Sequence, residues 1–465
     1  MLGIISGALL QLRAEFRLSC VQQEALVSAL LIGALLASAV GGCLIDRYGR
    51  RSSILLSNVL ILTGSLVLLG SSYPALVVGR ITVGFAMCIS SMSCCIFVSE
   101  MVAANRRGLL VTLYEAGITV GILAAYAMNY VLSDTKGGWR YMFGLAVVPT
   151  LVQLASIRFL PSSTRESSSQ RHCGRPEEDL TSSTGGPDEA ESSGRGRQVQ
   201  YGVLYLFQRK DNMRTRTAIG LGLVIFQQLT GQPNVLFYAS TIFHSVGFQS
   251  DASAVLASVG LGLVKVIATV ISMVFADRAG RRPLLIGGCS VMAVCLITIG
   301  FLSGHSDFIA NTTSLPPVQG SAVNWIILVC MMFVVSAYSV GFGPMTWLVL
   351  SEIFPSAVRG RAFAFTNCFN WAANLLVTFS FLNVVDVIGL SGTFLLYGLT
   401  AVAAVVFFYF MLPETKGKSL EEIDKELCLN RMQHSEECCS VISRRLTSLQ
   451  YQRVHCQLST SGCSN

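Results

Sequence analysis

The chain of 465 residues is apolar and mildly basic, with 52% hydrophobic residues, 13% charged residues and a net charge of +7. A soluble domain carries about 25% charged residues, so this chain has too few polar side chains to cover a surface in water. Its mean hydropathy of +0.59 indicates a protein surrounded largely by lipid. This composition excludes an ordinary soluble domain, and the basic loops of a membrane protein explain the charge without nucleic-acid binding.

Long apolar runs follow one another along the chain and predict eleven membrane-spanning helices. Each span needs about 20 apolar residues to cross about 30 Å of hydrocarbon. The predicted spans are residues 25–45, 53–72, 75–98, 109–132, 141–160, 217–243, 252–276, 284–303, 323–350, 361–385 and 390–412.

A shorter apolar run, Leu2 to Leu10, precedes these spans. As a helix it rises only about 14 Å, which is less than the hydrocarbon thickness. It predicts a truncated first span, either a stub packed against the bundle or the end of a helix that the chain enters part-way. No basic residue precedes the run and no clear cleavage site follows it, so we do not expect a signal peptide.

Two motifs occur once in each part of the chain. The pattern Asp-Arg-x-Gly-Arg-Arg occupies residues 46–51 and again 277–282, and a Glu stands seven residues before Arg-Gly at Glu100 and at Glu352. Internal repeats in a protein of many spans indicate duplicated halves. Such proteins are commonly transporters with their site at the interface between the halves.

The repeats divide the chain into two halves, residues 1–160 and 217–412, which we expect to form two six-helix bundles with pseudo-two-fold symmetry. Between them, residues 161–216 are rich in Ser, Gly, Arg and Glu. Such a segment buries too little apolar surface to offset its ordering entropy, so it predicts a mostly disordered linker. Residues 413–465 form a polar tail.

Arginines set the predicted orientation in an integral, multi-pass membrane protein. The loops with the repeated arginines share one face, which the positive-inside rule assigns to the cytosol. The linker and tail then also lie in the cytosol, and the loop 304–322 lies outside. That loop carries Asn311 in the one Asn-x-Thr sequence of the chain, a candidate glycosylation site. The sequence does not decide between the plasma membrane and an internal, perinuclear membrane.

The repeated motifs also predict a latch on the cytosolic face. Arginines in the tight turns can pair with the glutamates of the second motif, and such pairs between the two bundles can form in one conformation and release in another. The alternative is that the arginines only hold the loops in the cytosol. The candidate latch residues are Asp46, Arg47, Arg50, Glu100 and Arg107 in the first copy, and Asp277, Arg278, Arg281, Glu352 and Arg359 in the second.

The chain offers no arrangement of residues that predicts an enzyme. It shows no nucleophile–base set and no phosphate-binding loop. Its fifteen cysteines include no Cys-x-x-Cys pair and there is no His cluster, so no metal or cofactor site is predicted. Most of the cysteines lie in apolar spans, where Cys behaves as a small hydrophobe.

Six further motifs together point to one family. They are Gly79-Arg80, Gly138-Trp139-Arg140-Tyr141-Met142-Phe143-Gly144, Gln227-Gln228-Leu229-Thr230-Gly231, Gly343-Pro344-Met345-Thr346-Trp347, Asn370-Trp371 and Pro413-Glu414-Thr415-Lys416-Gly417. Over residues 3–160 and 205–427 the chain resembles the sugar porters of the major facilitator superfamily, specifically the class III facilitative glucose transporters. The resemblance implies an all-α membrane protein with the major facilitator fold.

The resemblance also implies a sugar site between the halves. In the family the sugar contacts fall at positions that match Gln227, Gln228, Trp347, Asn370 and Asn374 here. An amide both donates and accepts hydrogen bonds, as sugar hydroxyls require, and an aromatic ring offers a stacking surface. The alternative is that the amides join helices by hydrogen bonds.

Two departures from the family pattern place charges inside the spans, and a third moves an amide. The chain has Glu115 where the family usually has a glutamine, and Lys265 where many relatives have an asparagine; the family Asn after the glutamine pair is displaced by one, to Asn234. Charges within spans are costly and mark function. We hypothesise that Glu115 and Lys265 pair across the interface, with Glu115 at the sugar or, in a bolder version, coupled to protons.

The expected function is facilitative transport of a glucose-like hexose across the lipid bilayer by alternating access. One alternative is a transporter of dehydroascorbate, or one that couples sugar to protons. Another is a transport-dead protein that binds sugar as a sensor, because the first span is short and the linker departs from the family pattern. The expected partners are the sugar and the bilayer, without nucleic acid, and the oligomeric state is left open.

Overall fold

The computed structural model is all-helical over the residues it describes. These are residues 2–70, 72–101, 104–157, 203–208, 212–246, 251–313, 321–355, 358–416, 418 and 422. Residues 161–202 of the predicted linker and most of the tail lie outside the described residues, so the disorder of this part of the linker stays a prediction. Some side chains at helix ends also lie outside the described residues.

Seven helices form the N-terminal half. They are α1 (Ile4–Phe16), α2 (Cys20–Tyr48), α3 (Arg50–Leu68), α4 (Tyr73–Met101), α5 (Ala104–Val131), α6 (Gly138–Leu145) and α7 (Val147–Ser156). The last two follow each other almost directly and occupy the place of one span.

A short 3₁₀ turn, Val203–Phe207, precedes the helices of the C-terminal half. These helices are α8 (Met213–Leu229), α9 (Gln232–Phe237), α10 (Ala239–Val246), α11 (Asp251–Ala279), α12 (Arg281–Thr313), α13 (Ser321–Val340), α14 (Phe342–Ile353), α15 (Arg359–Phe379) and α16 (Phe381–Met411). Helices α8–α10 replace one span, and α13 and α14 replace another.

All eleven predicted spans fall on these helices, but several of the predicted bounds differ. Helix α12 continues to Thr313 instead of ending at residue 303, so the sequence 304–313 is helical and not a loop. Helix α15 ends at Phe379, six residues before the predicted end. The next helix is kinked at Gly389, which has φ 74° and ψ 169°. Seven stretches of the described chain are long and apolar enough to cross a membrane.

The truncated first span is a helix of 13 residues, α1, packed into the bundle. Its length is about 20 Å at 1.5 Å per residue, longer than the Leu2–Leu10 run but still shorter than the hydrocarbon core. Its inner face, with Ile5, Ala8 and Leu12, is fully buried. Asn129 Nδ2 of α5 donates to the carbonyl of Gly3 at 3.0 Å and fixes the start of the helix.

The packing of helices repeats between the halves and confirms the pseudo-two-fold arrangement. Helix α4 packs on α2 and α3, and in the second half α13 packs on α11 and α12. Within the halves, α1 packs on α5 as α8 packs on α15. Between them, α5 packs on α11 and α2 on α15, so two equivalent seams join the halves.

A close crossing of α2 and α4 depends on two glycines. A Cβ placed on Gly33 would lie 2.0 Å from the carbonyl oxygen of Ile81, and one on Gly84 would lie 1.9 Å from that of Leu30. Both obstacles are backbone atoms, which no side-chain rotation can move. Small residues permit this kind of approach between helices in a membrane, where dispersion contacts supply much of the association energy.

We predict that Gly84→Ala lowers the melting temperature of the purified protein in detergent. Moving the crossing apart should cost about 1–3 kcal/mol, as overpacking does. The matched control is Gly121→Ala, where a Cβ meets nothing within 4 Å and only the helix propensity changes. Equal melting temperatures for the two variants would show that the crossing is not tight.

Candidate functional site

Two adjacent glutamines lie in the last turn of α8, directly before a break in the helix. The helix ends at Leu229, and Gly231 follows in the left-handed region with φ 77° before α9 begins. A side chain at this position would also collide with Tyr397, because its Cβ would lie 2.2 Å from the tyrosine ring. Only glycine meets both demands here. The break therefore follows Gln227 and Gln228 and does not separate them.

The two glutamines point to different helices of the same half. Gln227 Nε2 donates to the carbonyl of Phe342, the first residue of α14, at 3.2 Å. Gln228 Nε2 donates to Asn370 Oδ1 of α15 at 2.6 Å. Adjacent residues on a helix project about 100° apart, which explains why the pair joins α8 to two neighbours. Both side chains are buried.

Two further amides complete a buried polar set. Asn234 Nδ2 donates to the carbonyl of Val377 at 3.0 Å and to the hydroxyl of Tyr397 at 2.8 Å. Asn374 Oδ1 accepts from Thr378 Oγ1 at 3.1 Å. Each amide thus makes a contact that joins or stiffens helices, as the alternative to a sugar site predicts.

These contacts do not use every polar atom of the set. Several buried atoms have no hydrogen-bond partner within the described part of the chain. They are the amide oxygens of Gln227, Gln228 and Asn234, the amide nitrogen of Gln232, the hydroxyl of Thr346 and the indole nitrogen of Trp371. An unpaired buried polar group costs about 1–3 kcal/mol. Acceptors and donors that share one region fit a ligand bearing several hydroxyls.

Two tryptophans lie on α14 and α15, the helices that Gln227 and Gln228 contact. Trp347 of α14 is half-buried, and its ring centre is 5.5 Å from that of Phe363. Trp371 of α15 follows Asn370 directly and packs on the buried cluster of α2 and α4 that includes Ile89. Apolar ring faces next to amides suit a sugar, which has hydroxyls at its edge and a weakly apolar face.

Glu115 and Lys265 lie in α5 and α11, the two helices of one seam. Lys265 is buried, donates to Ser339 Oγ at 3.4 Å and lies 5.3 Å from the ring centre of Tyr338. The Glu115 carboxylate lies by α14, 3.7 Å from the place that a Cβ on Gly343 would take. The two charges act on each other. The described contacts of the two residues include no direct ion pair, so pairing stays a prediction.

The other seam carries a polar contact that the sequence did not reveal. Asn367 Nδ2 of α15 donates to Ser38 Oγ of α2 at 3.2 Å, and Ser38 is 3.3 Å from Cys88 Sγ of α4. The only available signal was one more asparagine in an apolar helix. Nothing in the local pattern shows that it faces the other half.

One predicted latch pair forms, at the face that the sequence assigns to the cytosol. Arg281 Nη2 donates to Glu352 Oε1 at 3.2 Å, and both side chains are largely buried. Both residues belong to the C-terminal half, in which the start of α12 lies against the end of α14. This pair therefore ties helices within one half and does not join the two halves as we expected. Its role as a latch stays a prediction.

The carboxylate of Glu414 also lies at the start of α12, a position that the sequence motifs did not predict. Glu414 accepts hydrogen bonds from the backbone nitrogens of Arg281 and Arg282, each at 3.1 Å, and so caps the start of α12. The turn before the helix is made by Gly280, with φ 96°. Lys416 Nζ donates to the carbonyl of Arg278. The Pro-Glu-Thr-Lys-Gly motif was the available signal, but its position beside the second Asp-Arg-x-Gly-Arg-Arg copy follows only from the fold.

Arg47 and Arg278 are exposed, and Arg47 lies 5.9 Å from the ring centre of Tyr48. The remaining latch candidates have side chains outside the described residues, as does the candidate glycosylation site Asn311. These candidates are Asp46, Arg50, Glu100, Arg107, Asp277 and Arg359.

Comparison with known proteins assigns the chain to a family. The family model described as "Sugar (and other) transporter" matches residues 8–427. The chain belongs to the sugar transporter family. Membership confirms that it is an integral, multi-pass membrane protein and a transporter, not an enzyme.

Relatives within the family are facilitated glucose transporters. Member 10 of solute carrier family 2 from Danio rerio is 58% identical, over 97% of this chain and 94% of its own length. Member 10 from Homo sapiens is 50% identical, over 91% and 90%. Member 12 from Homo sapiens is 41% identical, over 92% and 82%. These matches confirm the resemblance to class III facilitative glucose transporters.

Solved structures of sugar transporters share the fold. The proton:xylose symporter XylE bound to 6-bromo-6-deoxy-D-glucose has a TM-score of 0.69 and 28% identity, and the match covers 92% of this chain and 95% of that one. Inward-open XylE from E. coli has a TM-score of 0.68 and 26% identity, over 91% and 95%. The major facilitator fold is thus confirmed.

We predict that Arg281 and Glu352 are energetically coupled in this transporter. A double-mutant cycle of Arg281→Gln, Glu352→Gln and the double variant, followed by thermal unfolding in detergent, should give a coupling of about 0.5–3 kcal/mol. The reason is that each single variant leaves the other charge without its partner in a partly buried corner. Additive effects would show that the arginine serves topology alone.

Proposed function

We propose that the protein carries a glucose-like hexose down its concentration gradient by alternating access of a site between its halves. The observation that carries the proposal is the buried amide set of α8, α9 and α15, in which the side-chain oxygens of Gln227, Gln228 and Asn234 have no hydrogen-bond partner within the described part of the chain. In a bundle surrounded by lipid such atoms are costly unless a polar ligand or water meets them. A hexose offers several hydroxyl donors to these acceptors.

The relatives support this substrate class. Several are named facilitated glucose transporters, and one solved neighbour holds a halogenated glucose. We assign Gln227, Gln228, Asn234, Asn370 and Asn374 to the sugar hydroxyls. Trp347 supplies the apolar surface, as an aromatic ring does for a sugar face.

Alternating access is supported by the contacts that close the outer side. Ser6 Oγ of α1 lies 3.0 Å from Ser240 Oγ of α10. The hydroxyl of Tyr126 in α5 donates to the carbonyl of Leu236 in α9 at 2.7 Å. Both contacts join one half to the other, and Tyr126 lies near the outer end of α5. Opening to the outside must break both contacts. The contact between Arg281 and Glu352 need not break, because it lies within one half.

We assign Glu115 and Lys265 to a charge pair that locks the seam beside the sugar. Burying one charge alone is expensive, so the pair stabilises the fold little but resists the loss of either member. The Glu115 carboxylate lies by Gly343, at the start of α14, and the same helix carries Trp347. The lipid bilayer is the second partner, and the outward apolar faces of α12 and α16 contact it.

The test is counterflow of labelled glucose in proteoliposomes of the purified protein, with and without a pH gradient. We expect saturable counterflow that is independent of the gradient. Gln228→Ala should lower kcat/KM by about ten- to a hundredfold, because it removes a buried amide worth about 1–3 kcal/mol. The control, Gln208→Ala, alters an exposed glutamine and should keep wild-type kinetics.

Two results would contradict this assignment. Uptake driven by the pH gradient would make the protein a proton-coupled carrier. Folded protein that binds glucose without exchanging it would make it a sensor.

We predict that charge reversal distinguishes a lock from two independent charges. Glu115→Lys and Lys265→Glu should each abolish counterflow, because each places two like charges in one buried seam. The double reversal restores opposite charges and should recover part of the flux. Expression and detergent stability of all three variants are measured alongside. A double variant as inactive as the single ones, yet folded, would rule the pair out.

A further inference from the structure

One carboxylate of the N-terminal half contacts the C-terminal half at the outer face. Glu24 lies in the second turn of α2 and is fully buried. Its Oε1 accepts from the backbone nitrogens of Leu382 at 2.7 Å and Asn383 at 3.1 Å, and its Oε2 accepts from Asn383 Nδ2 at 2.6 Å. We call this set of three hydrogen bonds the Glu24 clasp.

The backbone donors in the clasp belong to the first turn of α16. The second and third residues of a helix are the ones whose N–H groups an N-cap side chain normally satisfies. The residue at that cap, Ser380, makes no such bond, and its hydroxyl donates to the carbonyl of Leu376 instead. The first turn also contains no acidic residue. Helix α16 is therefore capped by the other half of the protein.

Helix α2 shows the contrast. Ser19 and Gln22 form a capping box, in which Gln22 N donates to Ser19 Oγ and Ser19 N donates to Gln22 Oε1. This helix satisfies its own terminus from its own sequence. The dependence of α16 on Glu24 is thus a special feature of the interface and is not shared by α2.

Both halves contribute to the surroundings of Glu24. Arg80 of α4 is buried and donates from Nη2 to the carbonyl of Val27, three residues along α2, at 3.2 Å. Tyr238 lies within electrostatic reach of Glu24 and Arg80, and its ring stacks on Phe381 of α16 at 4.9 Å.

One neighbour opposes the clasp. The carboxylate of Asp386, further along α16, repels Glu24. Attraction at the contact therefore comes from the three hydrogen bonds and the positive end of the helix.

We propose that Glu24 is a positioning residue of the outer gate, and that its carboxylate caps α16 only while the halves are closed on the outer side. When the halves part there, both the carboxylate and the N–H groups lose their partners and must be solvated. The clasp therefore favours the outward-closed state. The proposal rests on the transport by alternating access proposed above.

The test measures the outer opening directly, without a need for transport. Val21 on α2 and Val387 on α16 are exposed, and each is replaced by a spin-labelled unnatural amino acid. Pulsed electron paramagnetic resonance then measures the distance between the two labels, which reports the opening between the outer ends of the halves. We expect Glu24→Gln to raise the ratio of long to short distances about tenfold, since a hydrogen bond to a charged group is worth about that factor or more.

Sided kinetics give the second readout. A larger outward-open population lowers the KM for sugar outside and raises the KM for sugar inside, because apparent affinity scales with the competent fraction. The ratio of the two KM values should shift about tenfold in Glu24→Gln. If Glu24 acted only on the stability of the fold, the two KM values would change together or would both stay unchanged.

The matched control is Glu15→Gln. Glu15 is another glutamate of the outer face, but it accepts from Trp139 Nε1 at 2.6 Å and from Arg140 at 3.4 Å, both in its own half. Glu15→Gln should leave the distance ratio and the KM ratio unchanged.

Asn383→Ala removes one donor and keeps the Glu24 charge, so it should give a smaller shift in the same direction as Glu24→Gln. Asn383→Ala also tests the clasp if Glu24→Gln fails to fold.

The outcomes separate the two proposals. Unchanged distances in folded Glu24→Gln or, where that variant does not fold, in folded Asn383→Ala would overturn the clasp. A shifted distance ratio in a protein that shows no glucose counterflow would support the clasp and overturn the proposed function.

Discussion

The absence of hydrogen-bonding partners in lipid is the constraint on which the rest of this structure depends. Polar side chains in the spans must meet one another between helices or meet a ligand. The amides of α8, α9 and α15 follow this rule only in part, because Gln228 pairs with Asn370 while its own amide oxygen stays unpaired. These amides thus join helices of the C-terminal half, and we propose that a polar solute gains contacts with them.

Broken helices make this interface possible. Gly231 ends α8 after the glutamine pair, and Gly341 separates α13 from α14. The carbonyl of Phe342, the first residue after the second break, accepts from Gln227. Broken backbone at membrane depth is tolerated where it lines a cavity or is buried in protein. The same breaks allow the outer segments α9 and α10 to contact the N-terminal half.

The sequence predicted the halves, the spans and the chemistry of the site, because each depends on local pattern. Apolar runs give spans, the repeated Asp-Arg-x-Gly-Arg-Arg motif gives the duplication, and amides such as Gln228 and Asn370 stand out in apolar helices.

The partners of these residues could not be predicted, since they depend on helix rotation and on which ends of helices meet. Arg281 pairs inside its own half for this reason, and Glu414 and Glu24 cap helices that lie 133 and 358 residues away in the chain. A glutamate at the polar start of α2 carries no local sign of that role.

The central claim is that the amides between the halves bind a hexose, and equilibrium binding of labelled glucose to the purified protein in detergent tests it most directly. A scintillation proximity titration should saturate for the wild type and be displaced by unlabelled glucose. The account predicts that Gln228→Ala and Asn370→Ala each weaken binding, and that the double variant is less than additive because the two side chains share a hydrogen bond. Saturable binding that is unchanged in both folded single variants would place the sugar elsewhere and contradict the account.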